Sequence, residues 1–149
     1  MKRLILLLLM LCASPVWAAA PTHDAMTTAS DTDQGSTSTV SHTTGACANT
    51  AIFVTVTLNA TTLPTISSIT YNALSLAAIA AQNDPANDRS VALWYRIAPT
   101  VGAHDVVVTL SDVSDQTQIA ISTYCDVDQS TPIGTPATAA DTSTTPSVD

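Results

Sequence analysis

The stretch YCDVDQSTPIG, residues 124–134, sets a cysteine beside two aspartates one residue apart, ahead of a proline and a glycine. Three readings fit those residue types: a hard cation held by Asp126 and Asp128, a disulfide through Cys125, or a polar turn without further chemistry. Calcium takes clustered carboxylates and loop carbonyls, and Asp84, Asn87 and Asp88 form a second oxygen-rich loop. The EF-hand spacing and its closing glutamate are absent, so the bland alternative for both loops is a solvated turn. Cys125 has Cys47 as its partner once the N-terminal leader and its Cys12 are set aside. Without further cysteines or paired histidines these two make a poor zinc site, which leaves a bridge or two reduced buried thiols.

Catalytic chemistry finds little purchase. No GxSxG elbow is present, and His23, His42 and His104 are the only histidines that could act as a base. His23 lies in a polar tail, His42 near a predicted sheet edge, and His104 opens a strand after Gly102, where a solvated imidazole is expected. A glycosidase needs two carboxyls about 5 to 9 Å apart across a cleft. Here Asp84 and Asp88, Asp112 and Asp115, and Asp126 and Asp128 cluster where turns are expected, and turn formation accounts for all six. No catalytic residue is assigned and the chain reads as non-enzymatic. The aromatics Trp94, Tyr95, Tyr71 and Tyr124 raise a sugar-platform alternative: if Trp94 shares an outer face with Arg96, the pair could stack on a ligand, the plainer use of such rings being the core.

The N-terminal sequence MKRLILLLLMLCASPVWAAA has two cations, a short apolar run and small residues at the right offsets for cleavage after Ala18 or Ala20. It predicts a secretory signal peptide over residues 1–20, too short to span a bilayer. A lipoprotein signal at Cys12 would want a small residue where Leu11 stands. Beyond the leader, Arg89 and Arg96 face twelve acids, all aspartate. Such a chain is unsuited to nucleic acid and suited to a soluble exported protein with no transmembrane anchor.

Residues 21–36, rich in Ser, Thr and Asp, hold hardly a large apolar side chain and predict a disordered linker. From there to residue 149 the pattern is that of strands. Residues 38–44 are expected as an edge strand. In TAIFVTVTL, Ile52, Val54, Val56 and Leu58 share one face. Further strands are expected at 66–71, at 74–81 after a turn at Asn72, and along SVALWYRIA, where Val91, Leu93, Tyr95 and Ile97 alternate with Ala92, Trp94 and Arg96. Two more follow: HDVVVTLS, with Val106, Val108 and Leu110 inward, and QIAISTYC, with Ile119, Ile121 and Thr123 on one face. Short strands between polar turns predict an all-β, antiparallel sandwich, immunoglobulin-like or jelly-roll. Cys47 precedes one strand and Cys125 ends another, so antiparallel neighbours would bring the two together. The tail TPATAADTSTTPSVD, residues 135–149, stops where another strand would begin. The sandwich over residues 37–149 is therefore expected to be incomplete at its C-terminus, with an open edge beside the tail.

Four stretches together resemble a recurrent module of secreted bacterial proteins, built on a "TYGG-ALT" hairpin, a "WYL-AP-GTH-VVVT" pair and a "GVDQTTPIG" turn. The matching segments are ITYNALSL from Ile69, ALWYRIAPTVGAHDVVVTL from Ala92 and DVDQSTPIGTPATA from Asp126, and the resemblance covers roughly residues 36–149. It implies a jelly-roll or immunoglobulin-like sandwich within a large exported surface protein, without a catalytic constellation and with sequence continuing beyond this chain. Asn72 and Ala73 replace paired glycines of the pattern, so Asn72 must supply the positive φ of the turn. The function expected is a structural or adhesive extracellular module whose partners are other surface modules. A carbohydrate-binding accessory module is the alternative, and a part of a secreted hydrolase the distant one.

Overall fold

The computed structural model describes residues 20–31, 35–84, 86 and 88–138. The predicted signal peptide, apart from Ala20, falls outside these, as do Asn87 and the tail beyond Thr138. Nine strands follow in chain order: β1 (Thr22–Asp31), β2 (Thr37–Thr44), β3 (Ala51–Asn59), β4 (Ile66–Tyr71), β5 (Leu74–Ser75), β6 (Ala77–Asp84), β7 (Arg89–Ile97), β8 (Gly102–Leu110) and β9 (Gln116–Cys125). They form two antiparallel sheets packed face to face, one ordered β1-β9-β3-β7-β6 and the other β2-β8-β4-β5. This is the β-sandwich that the alternating pattern predicts.

The core lies between the sheets. Ile52, Val54, Val56 and Leu58 of central β3 are buried, as are Val106, Val108 and Leu110 of β8 and Ile119, Ile121 and Thr123 of β9. Those are the inward faces expected from period-two alternation, because successive side chains of a strand point to opposite sides. Val40, Ile66 and Trp94 pack against the same cluster from its margins.

Three features depart from the sequence-based expectation. Residues 22–31 are not a disordered linker: β1 pairs with β9 from Thr22↔Cys125 to Asp31↔Thr117, with one irregularity between His23 and Ala25. Met26 is the segment's one large apolar residue and it points outward, yet docking on a preformed sheet edge asks mainly for backbone hydrogen bonds, and its threonines favour extended backbone. Side-chain anchors add to this, among them Ser38 donating to Asp31 at 2.8 Å. Because β1 covers one side of β9 and β3 the other, the edge expected to stand open beside the tail is closed.

The second departure is at residues 74–81, which change sheets instead of forming one strand. Leu74 and Ser75 pair with β4, while β6 pairs with β7 in the other sheet. Leu76 makes the crossing, buried in the core with its amide bonded to the Ile69 carbonyl at 2.9 Å. The third is the turn before it. Asn72 has a φ of 49° as expected, and Ala73 has one of 59°, so both central residues of this tight hairpin are left-handed. Ala73 lacks glycine's freedom there and holds a conformation costing about 1 kcal/mol.

Candidate functional site

The disulfide is present. Cys47 and Cys125 are bridged with Cα atoms 5.7 Å apart. The end of β9 lies against the chain entering β3, where the Asp126 amide donates to the Ala48 carbonyl and the Val127 amide to the Asn49 carbonyl, both at 2.9 Å. Asp126 itself has a φ of 59°. Asp128 is exposed, and its Oδ1 accepts the amides of Ser130 at 2.7 Å and Thr131 at 3.0 Å. Those two amides hold its carboxyl below the ordinary carboxylate range. Asp128 thus closes its own turn, with one carboxylate oxygen committed to it.

Among the described residues one group brings together three residues of metal-ligating type: Asp24 through its carboxylate, and Cys47 and Cys125 through their bridged sulfurs. Asp24 is the residue within the β1 irregularity, and its carboxylate turns inward. It accepts the Gly45 amide at 2.7 Å and the Thr123 hydroxyl at 2.9 Å. A Cβ at position 45 would meet this carboxylate, which would have to shift and loosen its hold on the Gly45 amide.

Behind Thr123 lies His42, almost fully buried. Its Nε2 is 3.5 Å from the Thr123 hydroxyl and its Nδ1 shares a 2.8 Å hydrogen bond with the Thr27 hydroxyl. Acid, hydroxyl and imidazole are gathered here, but the hydroxyl stands between the other two, whereas a nucleophilic triad places the imidazole in the middle. Thr123 is also fully buried. The cluster joins β1, β2 and β9. Sequence reasoning missed Asp24 because it sits in a segment without apolar alternation, and placed His42 near an edge, where β2 does lie as the terminal strand of its sheet, without foreseeing that its side chain is buried.

Burial lowers the pKa of His42 below its ordinary 6.5, and the neighbouring Asp24 charge offsets part of the effect. In the unfolded chain His42 gains its proton near pH 6.5; in the folded chain it does so only at lower pH. Stability is therefore full above pH 6.5 and declines as pH falls through the folded midpoint. Urea unfolding at pH 7.5 and 5.0 should show this decline, and His42→Gln should flatten it; an equal decline in the variant would rule out His42 as its source.

Trp94 and Arg96 share a face, as alternation requires, but it is the inward one. Trp94 lies opposite Val54 and Arg96 opposite fully buried Ile52. Trp94 lines a cleft of about 260 Å³ between β6–β7 and the Pro64–Ile66 segment. Arg96 donates from Nη1 to the Ser75 carbonyl at 2.9 Å, and its Nε is buried without a partner. The expected outer platform of these two residues is therefore not formed.

The outer face of the five-stranded sheet carries a different set. Directly paired residues of an antiparallel ladder project to the same side, so the register defines rows across the sheet. The first is His23, Tyr124, Ala51 and Ile97. The second is Met26, Ser122, Phe53, Tyr95 and Ala77. Thr28, Ala120, Thr55, Leu93 and Ala80 make the third, and Ser30, Gln118, Thr57, Val91 and Gln82 the fourth. No aspartate or arginine stands in these four rows; Arg89 and Asp84 appear only in the fifth, beside Asn59. Rings cluster at one end. Phe53 and Tyr95 have centroids 6.4 Å apart and planes 23° apart, Tyr124 meets Phe53 edge-on at 5.9 Å, and His23 meets Tyr124 at 5.6 Å. Met26, at 63% exposure, and Val91, at 43%, remain open on the same face.

Among the described residues no helix is long and apolar enough to cross a membrane. No protein-family model, curated protein or solved structure matches this chain.

Proposed function

We propose that this chain is a non-catalytic, exported β-sandwich module with a structural or adhesive role at a cell surface or in the extracellular space. One observation carries the reading: four successive rows on the outer face of the five-stranded sheet hold no aspartate, although the chain has twelve. A face left to water in an acidic protein would be expected to take its share of that charge. An uncharged one with Met26 and Val91 open on it fits contact with another macromolecule. The Cys47–Cys125 bridge supports an oxidising compartment. The resemblance to secreted modules supports the surface location.

Adhesion and export are tested together. The full chain, labelled and expressed through a secretory route, should resist thiol alkylation until reduced, and should be retained on bacterial envelopes. Charge placed on the face by Thr55→Asp with Ser122→Asp should reduce that retention about tenfold while the unfolding transition stays cooperative. Retention unchanged by the paired substitution, in a folded variant, would remove the face from the function.

A further inference from the structure

We infer that the outer face of the five-stranded sheet binds a neutral polysaccharide, with Phe53, Tyr95 and Tyr124 as its stacking platform. The inference rests on the contact-face reading above and names its ligand. The three rings come from three adjacent strands, β3, β7 and β9. Phe53 and Tyr95 lie close to parallel, and Tyr124 buttresses Phe53 edge-on. All three are partly covered by their neighbours and so are held before any ligand arrives, which lowers the entropy lost on binding.

Sugar rings offer apolar C–H faces that lie well on aromatic rings, and hydroxyl edges that need donors and acceptors nearby. The rows around the rings supply the second requirement through the hydroxyls of Ser122 and Thr55 and the amide of Gln118. Charge then decides among ligand classes. Nucleic acid and anionic glycans need cations, and the four rows hold no arginine or lysine, the one side chain in them that can carry positive charge being His23. A cationic partner would find its carboxylates elsewhere on the molecule. A second copy would bring together two chains of net charge −8 each, a repulsive approach. A neutral glycan meets none of these objections. Trp94, on the inward face, takes no part.

The test is retention of the full chain on microcrystalline cellulose and on chitin. The protein should be retained on at least one of them, and equally at 0.15 M and about 1 M salt, since no ion pair is involved. Tyr95→Ala and Tyr124→Ala should each lower retention about tenfold, and Trp94→Phe should leave it unchanged. Ser122→Asp, which spares the rings, should lower it likewise and serves if either tyrosine variant fails to fold. Retention on neither solid overturns the inference, as does retention confined to an anionic glycan, or sedimentation showing self-association that Tyr95→Ala removes. Envelope adhesion that persists without polysaccharide retention would sink this ligand and leave the contact face standing.

Discussion

Replacing Cys47 and Cys125 together by alanine is expected to lower the unfolding free energy by about 4 kcal/mol, as measured by urea titration at neutral pH. The bridge spans 78 residues, and in the chain-entropy account a loop of that length restricts the unfolded chain by roughly this amount. Domains of this size are stable by about 5 to 15 kcal/mol, so the loss would remove a large share of the total. The bridge also sits beside two backbone bonds, from Asp126 and Val127 to Ala48 and Asn49, that hold the same two chain segments together. Those remain in the variant, which should keep the folded structure intact at low denaturant. A loss below about 1 kcal/mol would mean that the unfolded chain is already confined without the cross-link.

Tyr71→Ala carries the second large effect, about 4 kcal/mol, by emptying the largest fully buried position in the core. Its hydroxyl makes part of that cost separable. The Thr44 hydroxyl donates to it at 2.9 Å, and it lies 2.7 Å from the Gly102 carbonyl and 3.3 Å from that of His42. Tyr71→Phe keeps the ring and strands these partners in the interior, a cost of about 1 to 3 kcal/mol. Chemical denaturation of both variants should give that order. If Tyr71→Phe is as stable as the parent, the hydroxyl contributes nothing net and water reaches its partners.

What the sequence made legible follows from how strongly burial dictates residue type. β3, β8 and β9 have core faces of Val, Ile and Leu, and alternation alone assigned them. The bridge was legible because two cysteines flank strands whose antiparallel pairing brings their ends together. β1 was not legible, since an edge strand docked by backbone bonds and small residues need carry no apolar pattern. The faces of β7 were separable but not assignable: Val91, Leu93, Tyr95 and Ile97 look more apolar than Ser90, Ala92, Trp94 and Arg96, yet it is the second set that turns inward. The same ambiguity hid the candidate binding face. Tyr95 reads as a core residue in isolation and Phe53 only as lying opposite Ile52 and Val54, and it is the register that shows the two in one row on the outside.

The bridge has a consequence for how the molecule can come apart. Its ends at 47 and 125 enclose β3 to β9 in a covalent ring and leave β1 and β2 outside it. These two consecutive strands are the terminal strands of opposite sheets, at the same side of the sandwich. They form a clasp over one open end, fastened by the Asp31–Ser38 bond and by the polar cluster around Asp24 and His42. Lifting the clasp would leave the ring closed around the core, so β1 and β2 are the two strands whose release the cross-link does not oppose.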